Sequence, residues 1–394
     1  MHRRELLKGA ATAAVLSVGG SSWFAYERGV FSVGDGPAYA PWKDWRNGTG
    51  HGPAALVRAA LLAASPHNTQ PWRYKVTDSS VELHLDRRRN VGPLDPYLRE
   101  EQIGMGCALE NLILAAPANG YAATASLAPG ELIANSGTAE SELVARVELT
   151  PCTPVETELY RAIPRRHTNR SLYDRRRPIA PSIVEELRRL PHADERVRLF
   201  LFTGEADRSR IVQLSSEANN RLYSDPEVEA ASERWIRLRW DEVQRYRDGL
   251  TVDAFGLPAV TSAAAKIMPT SLLRRMVSKG QKEGYAERMM AAPLIGLIAV
   301  KNRYDREQCL QAGRLWQRIH LFATSRGIAG RPGNEAMEMI DYERMQGKPP
   351  GFLSELGKIT GEPEWQPTFA FLLGYPTLTA AASPRRPLQG VLTV

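Results

Sequence analysis

Two stretches constrain the fold more than anything else in the chain. "LREEQIGMGCALENLILAA" (98–116) and "QAGRLWQRIHLFATSRGIAG" (311–330) both carry apolar residues at helical spacing. In the first these are Met105, Leu109, Leu112, Ile113 and Ala116; in the second, Ala312, Leu315, Trp316, Ile319, Phe322 and Ala323. Each reads as a buried amphipathic helix, the second stopped by Gly327. A helix is also expected from about Pro53 to Ala64, ended by Pro66, and "DSS" makes the turn of a hairpin whose second strand alternates Val81, Leu83 and Leu85. "SELVARVELTP" alternates again. From about Glu156 the order restarts. Helix, Arg-rich turn and helix ("IAPSIVEELRRL") lead to strands "RVRLFLFTG", "PLIGLIAV" and "TFAFLLGYP". Helix, corner, strand, helix, strand occurring about twice predicts an α+β chain with an internal duplication around mixed or antiparallel sheets.

Boundaries follow from this order. Residues 1–29 form a signal segment, 30–52 a linker rich in Gly and Pro, 53–155 a first repeat and 156–394 a second. Within the second, residues 215–290 mix Trp, Arg, Met and Gly without a continuous stripe, which reads as a lid-like insertion.

The N-terminus "MHRRELLKGAATAAVLSVGG" pairs Arg3 with Arg4 ahead of Leu6, Leu7 and Lys8, then runs weakly apolar, as a twin-arginine export signal does. This predicts export, to the periplasm or to an outward-facing membrane anchor, and N-terminal membrane association. The net charge of +7 fits an anionic ligand, nucleic acid or a membrane surface without choosing among them. Cys107, Cys152 and Cys309 are widely spaced, make no disulfide framework or CxxC pattern, and are expected as small buried residues. The histidines lack HxxxH or HExxH spacing, so no metal site is expected. P-loop, nucleophile-elbow and dinucleotide-binding fingerprints are missing as well.

Two stretches carry candidate chemistry. "SPHNTQPW" (65–72) places the Asn68 and Gln70 amides and the Ser65 hydroxyl around a proline corner beside Trp72, a set suited to a planar ligand with polar edges. Trp72 fits a core position equally well, and Pro71 a rigid corner. "PRRHTNRSLYDRRRP" holds six Arg and one His among residues 165–177, and guanidinium forks bind phosphate bidentately. Alone, that turn fits a solvated surface or a nucleic-acid or lipid surface, but this leaves "SPHNTQPW" unexplained.

Taken together, the two stretches resemble the nitroreductase-like FMN oxidoreductases, in particular the Acg-type branch in which two such units are fused in one chain. The resemblance spans most of residues 50–390. Ser65, Asn68, Gln70, Pro71 and Trp72 match that family's S-x-x-N-x-Q-P-W motif, while Arg166, His167, Thr168 and Arg170 match its second motif with Thr in place of Ser. Gly374, Tyr375 and Pro376 followed by Arg385 and Arg386 match its C-terminal version.

The resemblance implies that Asn68 and Ser65 contact the flavin and that Arg166, His167, Thr168, Arg170 and Arg386 hold the FMN phosphate and ribityl chain. It also places "GIAGRPGNE", with Gly327 and Gly330, against the ring. The counterpart positions of a second site, "LPHADERVR" and "DWRNGTGHG", lack the matching residues, so one FMN per chain and a monomeric pseudo-dimer are implied. The implied activity is two-electron reduction of nitroaromatic or quinone-like acceptors. A small-molecule donor supplies the electrons, no catalytic side chain is needed, and nucleic acid is not a partner. The alternative is a flavin-binding or flavin-sequestering protein whose lid covers the site, with little turnover.

Overall fold

A computed structural model describes residues 23–46, 52–134, 141–190 and 194–393. Residues 1–22, 47–51, 135–140, 191–193 and 394 lie outside it, and with them the signal segment's arginines and parts of both eroded second-site stretches.

The first half builds a four-stranded antiparallel sheet from β1 (Trp72–Val76), β2 (Ser80–Leu85), β3 (Tyr121–Leu127) and β4 (Glu142–Pro151), in the order β1-β2-β4-β3. The hairpin register pairs Trp72 with Leu85 and Val76 with Val81, which puts Trp72, Tyr74, Val81, Leu83 and Leu85 into the core. The second half repeats the pattern with β5 (Val197–Phe202), β8 (Leu294–Val300), β9 (Ala329–Pro332) and β10 (Gln366–Gly374), in the order β5-β8-β10-β9. The short strands β6 (Ile236–Arg237) and β7 (Leu250–Thr251) form a separate pair. If β1, β2, β3 and β4 are matched in turn with β5, β8, β9 and β10, the two sheets have one and the same order. The α+β class and the antiparallel sheets expected from the alternating segments are what the chain forms. Strand β8 is buried at every position because both its faces are covered. Ile298 and Val300 join one apolar core, Ile295 and Leu297 another.

The helices used below are α1 (Ala40–Asp44), α2 (Ala54–Ala60), α3 (Arg99–Ala118), α4 (Glu158–Ala162), α5 (Glu205–Leu222), α6 (Pro226–Glu233), α7 (Trp240–Tyr246), α8 (Ala259–Ile267), α9 (Thr270–Lys282), α10 (Arg306–Ser325) and α11 (Glu335–Met345). Helices α3 and α10 are both 20 residues long and follow the second strand of their respective sheets. They pack on each other reciprocally. A Cβ on Gly106 would strike the Leu310 carbonyl, and a Cβ on Gly313 the Ile103 carbonyl. The two glycines are thus equivalent positions of one pseudo-twofold contact, the arrangement an isologous dimer interface would have. Glu110, fully buried on α3, accepts from Arg314 and Arg318 of α10 at 2.9 and 2.5 Å. The Cys107 thiol donates to the Gly313 carbonyl across the same seam.

Three expectations need correction. Cys107 and Cys309 are buried but Cys152 is exposed, because it lies just beyond the end of β4, where side chains face solvent. The helix expected to reach Ala64 ends at Ala60 and passes into turns. Pro37–Asp44, expected as linker, is helical, with Ala38 and Tyr39 buried. The aromatics Tyr39, Trp42 and Trp45 supply apolar area there that a free linker would not have.

Candidate functional site

The corner "SPHNTQPW" is strained. His67, Asn68 and Gln70 sit in left-handed backbone at φ 44°, 57° and 52°. Such conformations cost a non-glycine residue on the order of 1 kcal/mol or more each and persist only where surrounding bonds fix them. Those bonds are visible. The Ser65 Oγ accepts from the Gln70 N–H at 3.0 Å, and the Asn68 amide donates to the carbonyls of Gly249 (3.1 Å) and Pro384 (3.0 Å). Gln70 donates to the Arg247 carbonyl at 2.9 Å and accepts from the Arg386 N–H at 2.8 Å. Arg247 is itself left-handed at φ 56°, so four of the five non-glycine residues with positive φ among the described residues meet here. The insertion is also held electrostatically. Asp248 pairs with Arg89 from the first half and with Arg237 at 2.7 Å.

The second wall comes from the turn after α4. Beyond Arg165 the chain runs extended along the free edge of β9. Thr168 bridges Gly330, and the Asn169 N–H donates to the Gly330 carbonyl at 3.1 Å. A third element is the tail after β10. It crosses from the second sheet to the first, where the Tyr74 N–H donates to the Val391 carbonyl, and it carries Arg385 past the corner on the way.

These three elements and α1 line one narrow cavity that opens to solvent. Ser65, Asn68, Arg166, His167, Thr168, Arg170 and Arg385 line it, joined by Trp42, Ala64, Leu250 and Ser383. Its electrostatics are one-sided. Arg166 and Arg385 are 2% and 3% exposed, yet neither they nor Arg170 pairs with any carboxylate among the described residues. Arg166 donates to the Leu62 carbonyl at 3.0 Å, Arg385 to the Asn68 side-chain oxygen at 2.6 Å and the Ala63 carbonyl at 3.1 Å, and Arg170 to the Ala254 carbonyl at 3.3 Å. Burial brings Arg166 and Arg170 down to about 10, with Arg331 adding to the effect on Arg170, and it also lowers Arg385. His167 falls to about 3, first through burial and then through Arg166 and Arg385, so its imidazole is neutral at pH 7. Arg166 Nε, Arg385 Nε and His167 Nδ1 are buried without a hydrogen-bond partner among the described residues. Buried cations without counter-charge are costly, and a bound anion is what would relieve them.

The structure therefore brings seven of the expected residues to one cavity: Ser65, Asn68, Arg166, His167, Thr168, Arg170 and Arg385. Four others do not line it. Gln70 is turned to Arg247 and Arg386. Arg386 is spent on the carbonyls of Gln70 (3.0 Å), Trp72 and Gly390. Gly327 is an exposed helix stop at φ 70°, and Gly330 is buried inside β9, where its carbonyl serves Asn169. Trp72 is core, fully buried.

Sequence reasoning missed Trp42. Its ring lies 4.5 Å from that of His167 and 4.7 Å from the Arg385 guanidinium carbon, and its Nε1–H donates to the Ser383 carbonyl at 2.7 Å. The signal available was "APWKDW" itself, two tryptophans in a stretch otherwise read as linker. Arg331 was also passed over, although it stands beside Gly330 and acts on Arg170.

No family model matches the chain. A stretch of 139 residues is 30% identical to "Putative NAD(P)H nitroreductase Rv3131" of Mycobacterium tuberculosis, covering 32% of this chain and 38% of that protein. Another of 75 residues is 36% identical to "Putative NAD(P)H nitroreductase acg" of the same organism, covering 19% and 23%. Both stretches are similar to proteins named as putative NAD(P)H nitroreductases. The matches span well under half of those two relatives. "Uncharacterized protein Rv3127" is 26% identical over 353 residues, 86% of this chain and 93% of its own. Among solved structures, a nitroreductase with bound FMN from Desulfitobacterium hafniense aligns at TM-score 0.37 and 15% identity, over 59% of this chain and 95% of its own. The FMN-dependent nitroreductase NfnB from Mycobacterium smegmatis, in complex with NADPH, aligns at 0.35 and 17%, over 59% and 95%.

Proposed function

We propose that this chain is an FMN-dependent oxidoreductase of the nitroreductase type, built from two fused repeats and carrying one flavin site. The observation that carries the reading is the convergence of Arg166, Arg170 and Arg385 on one cavity with no carboxylate paired to them among the described residues. The unpartnered Arg166 Nε, Arg385 Nε and His167 Nδ1 fit a phosphate, whose oxygens accept from several donors at once. The relatives named as NAD(P)H nitroreductases and the neighbours with bound FMN support the same choice.

In this reading Arg166, Arg385 and Arg170 neutralise the phosphate, and the neutral His167 adds a hydrogen bond without adding charge. Asn68 and Ser65 hold the corner that faces the ligand. FMN, when bound, would supply two-electron transfer from a reduced donor to a nitroaromatic or quinone-like acceptor, so no side-chain nucleophile is required. If residues 1–29 direct export, the donor is a quinol or a protein rather than free NAD(P)H.

A second reading rests on a specific observation. Trp42, Arg247 and Gly249 close over the corner, which favours a covered, flavin-sequestering site with little turnover.

The test is the visible spectrum of the purified protein, taken anaerobically before and after NADPH. A flavin band that bleaches supports the reductase. A band that persists with NADPH, with a soluble quinol and with dithionite alike supports the covered site. Absence of any flavin band after incubation with FMN refutes both.

A further inference from the structure

The insertion between β5 and β8 presents apolar side chains to solvent at helical spacing. On α8, Val260 (82% exposed), Ala264 and Ile267 (47%) stand at i, i+4 and i+7. On α9, Leu272, Arg275, Met276 and Lys279 stand at i, i+3, i+4 and i+7, with Met276 52% exposed. The opposite faces of both helices are accounted for. Ala265 and Leu273 pack with Ile236, Leu238 and Val252, and Lys266 pairs inward with Asp253 at 2.8 Å. The outward faces are thus a second apolar surface that the fold leaves uncovered, not a core face that has slipped.

Two further observations say what covers it. The first is charge. Residues 254–282 contain Lys266, Arg274, Arg275, Lys279 and Lys282 and no Asp or Glu. Arg274 and Lys282 lean toward Glu233 and Glu229 at 3.6 and 4.0 Å, and Lys279 toward Glu283 at 3.5 Å, while Arg275 forms no ion pair among the described residues. Apolar positions alternating with cations on one exposed helix face are what lies down in the headgroup region of an anionic bilayer.

The second is the neighbouring segment 23–33, where Trp23 (65%), Tyr26, Phe31 (71%) and Val33 are also exposed. That segment is tied to the insertion. Lys266 Nζ donates to the Gly29 carbonyl at 2.9 Å, and Gly29 lies against the Trp240 ring. Trp and Tyr are the residues that settle at a membrane–water boundary. The sequence immediately before Trp23 carries Arg3, Arg4, Lys8 and a weakly apolar run. Among the described residues no helix is long and apolar enough to cross a membrane, so the attachment argued here is interfacial.

We propose that the exposed faces of α8 and α9 form a docking surface for an anionic lipid bilayer, joined by the exposed aromatics of segment 23–33, which is tied to α8 through Gly29. The proposal is independent of the flavin reading, since no cavity residue enters it.

The experiment is co-sedimentation of the full chain with vesicles of phosphatidylcholine alone and of phosphatidylcholine with about a third phosphatidylglycerol, at low and high salt, alongside sedimentation velocity without lipid. The expected result is binding to the anionic vesicles, weakened at high salt. It should fall at least tenfold in both Val260→Glu/Met276→Glu and Arg275→Glu/Lys279→Glu, with circular dichroism and melting temperature unchanged. The charge-reversal pair lies wholly on the surface, so it keeps the test open if the first variant fails to fold. Equal binding by the folded variants and the parent overturns the proposal, as does absence of vesicle binding. A lipid-free dimer that Val260→Glu/Met276→Glu dissolves would assign the faces to a second copy and overturn it too.

Discussion

Replacing Arg166 with Met separates the cost of the site from its use. Burial brings the Arg166 guanidinium down to about 10, roughly two and a half below its ordinary value. At about 1.36 kcal/mol per pH unit, holding the charge there costs the ligand-free protein about 3 kcal/mol. The group is buried and no carboxylate faces it, so little of that figure is lost to solvent screening. Met fills similar volume without charge, but it gives up the 3.0 Å bond to the Leu62 carbonyl, and a buried carbonyl left unpartnered costs about 1–3 kcal/mol. The net expectation is a ligand-free protein as stable as the parent, or more stable by up to about 2 kcal/mol, by urea denaturation. FMN affinity moves the other way. Loss of one charge-assisted bond worth about 1.5–3 kcal/mol predicts a fall of tenfold or more, read by fluorescence titration of added FMN. A variant that loses about 3 kcal/mol or more of stability while holding FMN like the parent would refute the reasoning, since Arg166 would then be a structural donor to Leu62.

Gly106→Ala should destabilise the chain by more than about 2 kcal/mol in denaturant titration, because the new methyl meets the Leu310 carbonyl, which belongs to a rigid helix and cannot yield. Gly313→Ala should do the same from the other side, and a negligible change in either would mean that the helix pair is looser than described. Acid should cost stability through the histidines. His67 and His167 are lowered to about 4 and about 3, mainly by burial, so below pH 6.5 the unfolded chain takes up protons that the folded chain does not. Their contribution is complete above 6.5 and is lost as pH falls toward 4 and 3, about 2 kcal/mol each by pH 5. His167→Gln should flatten that slope in pH-dependent unfolding, and an unchanged slope would remove His167 as its source. Glu100 acts in the opposite sense. Raised to about 8, chiefly by burial, it loses stability as pH climbs from 4.5 through 8, and Glu100→Gln should flatten the alkaline side. Trp42→Ala uncovers the cavity and should speed the release of bound FMN at least tenfold in dilution experiments. A release rate unchanged from the parent would mean that α1 does not gate the site.

The helices and strands were legible because each has one dominant period. Leu83 and Leu85 alternate and face one core, and the apolar positions of α3 and α10 recur at helical spacing along their shared seam. The two local motifs were legible for a different reason, since a proline corner with Asn68 and an Arg-rich turn are unusual wherever they occur. What stayed hidden is long-range. Nothing local in "APWKDW" says that Trp42 will lie beside His167, because the positions are joined only through the packing of α1 on α7 and the tail. Gln70 and Arg386 are turned away from the cavity for a related reason. Both side chains satisfy backbone groups first, Gln70 the Arg247 carbonyl and Arg386 the carbonyls of Gln70 and Trp72, across separations in sequence that no local pattern reveals.

The same geometry shows how two similar halves come to differ around this cavity. The sheets share a strand order, and α3 and α10 meet as equivalents, so each half offers the same slots. In a true homodimer every change would appear in both slots. In a single chain it need not. The first half joins β1 to β2 through a tight turn closed by the Thr77 N–H on the Ser80 carbonyl, whereas the second fills the corresponding interval, residues 203–293, with six α-helices and the β6–β7 pair. The tail after β10 adds a second asymmetry by crossing to β1. Both additions end on Asn68. Its amide donates to Gly249 of the insertion and Pro384 of the tail, while its side-chain oxygen accepts from Arg385. The left-handed corner is therefore held by segments that exist once in the chain, and the cationic cavity it faces lies on that side. Asn68 is then a positioning residue for the whole cavity, and its loss should slacken the insertion and the tail together rather than remove one ligand contact.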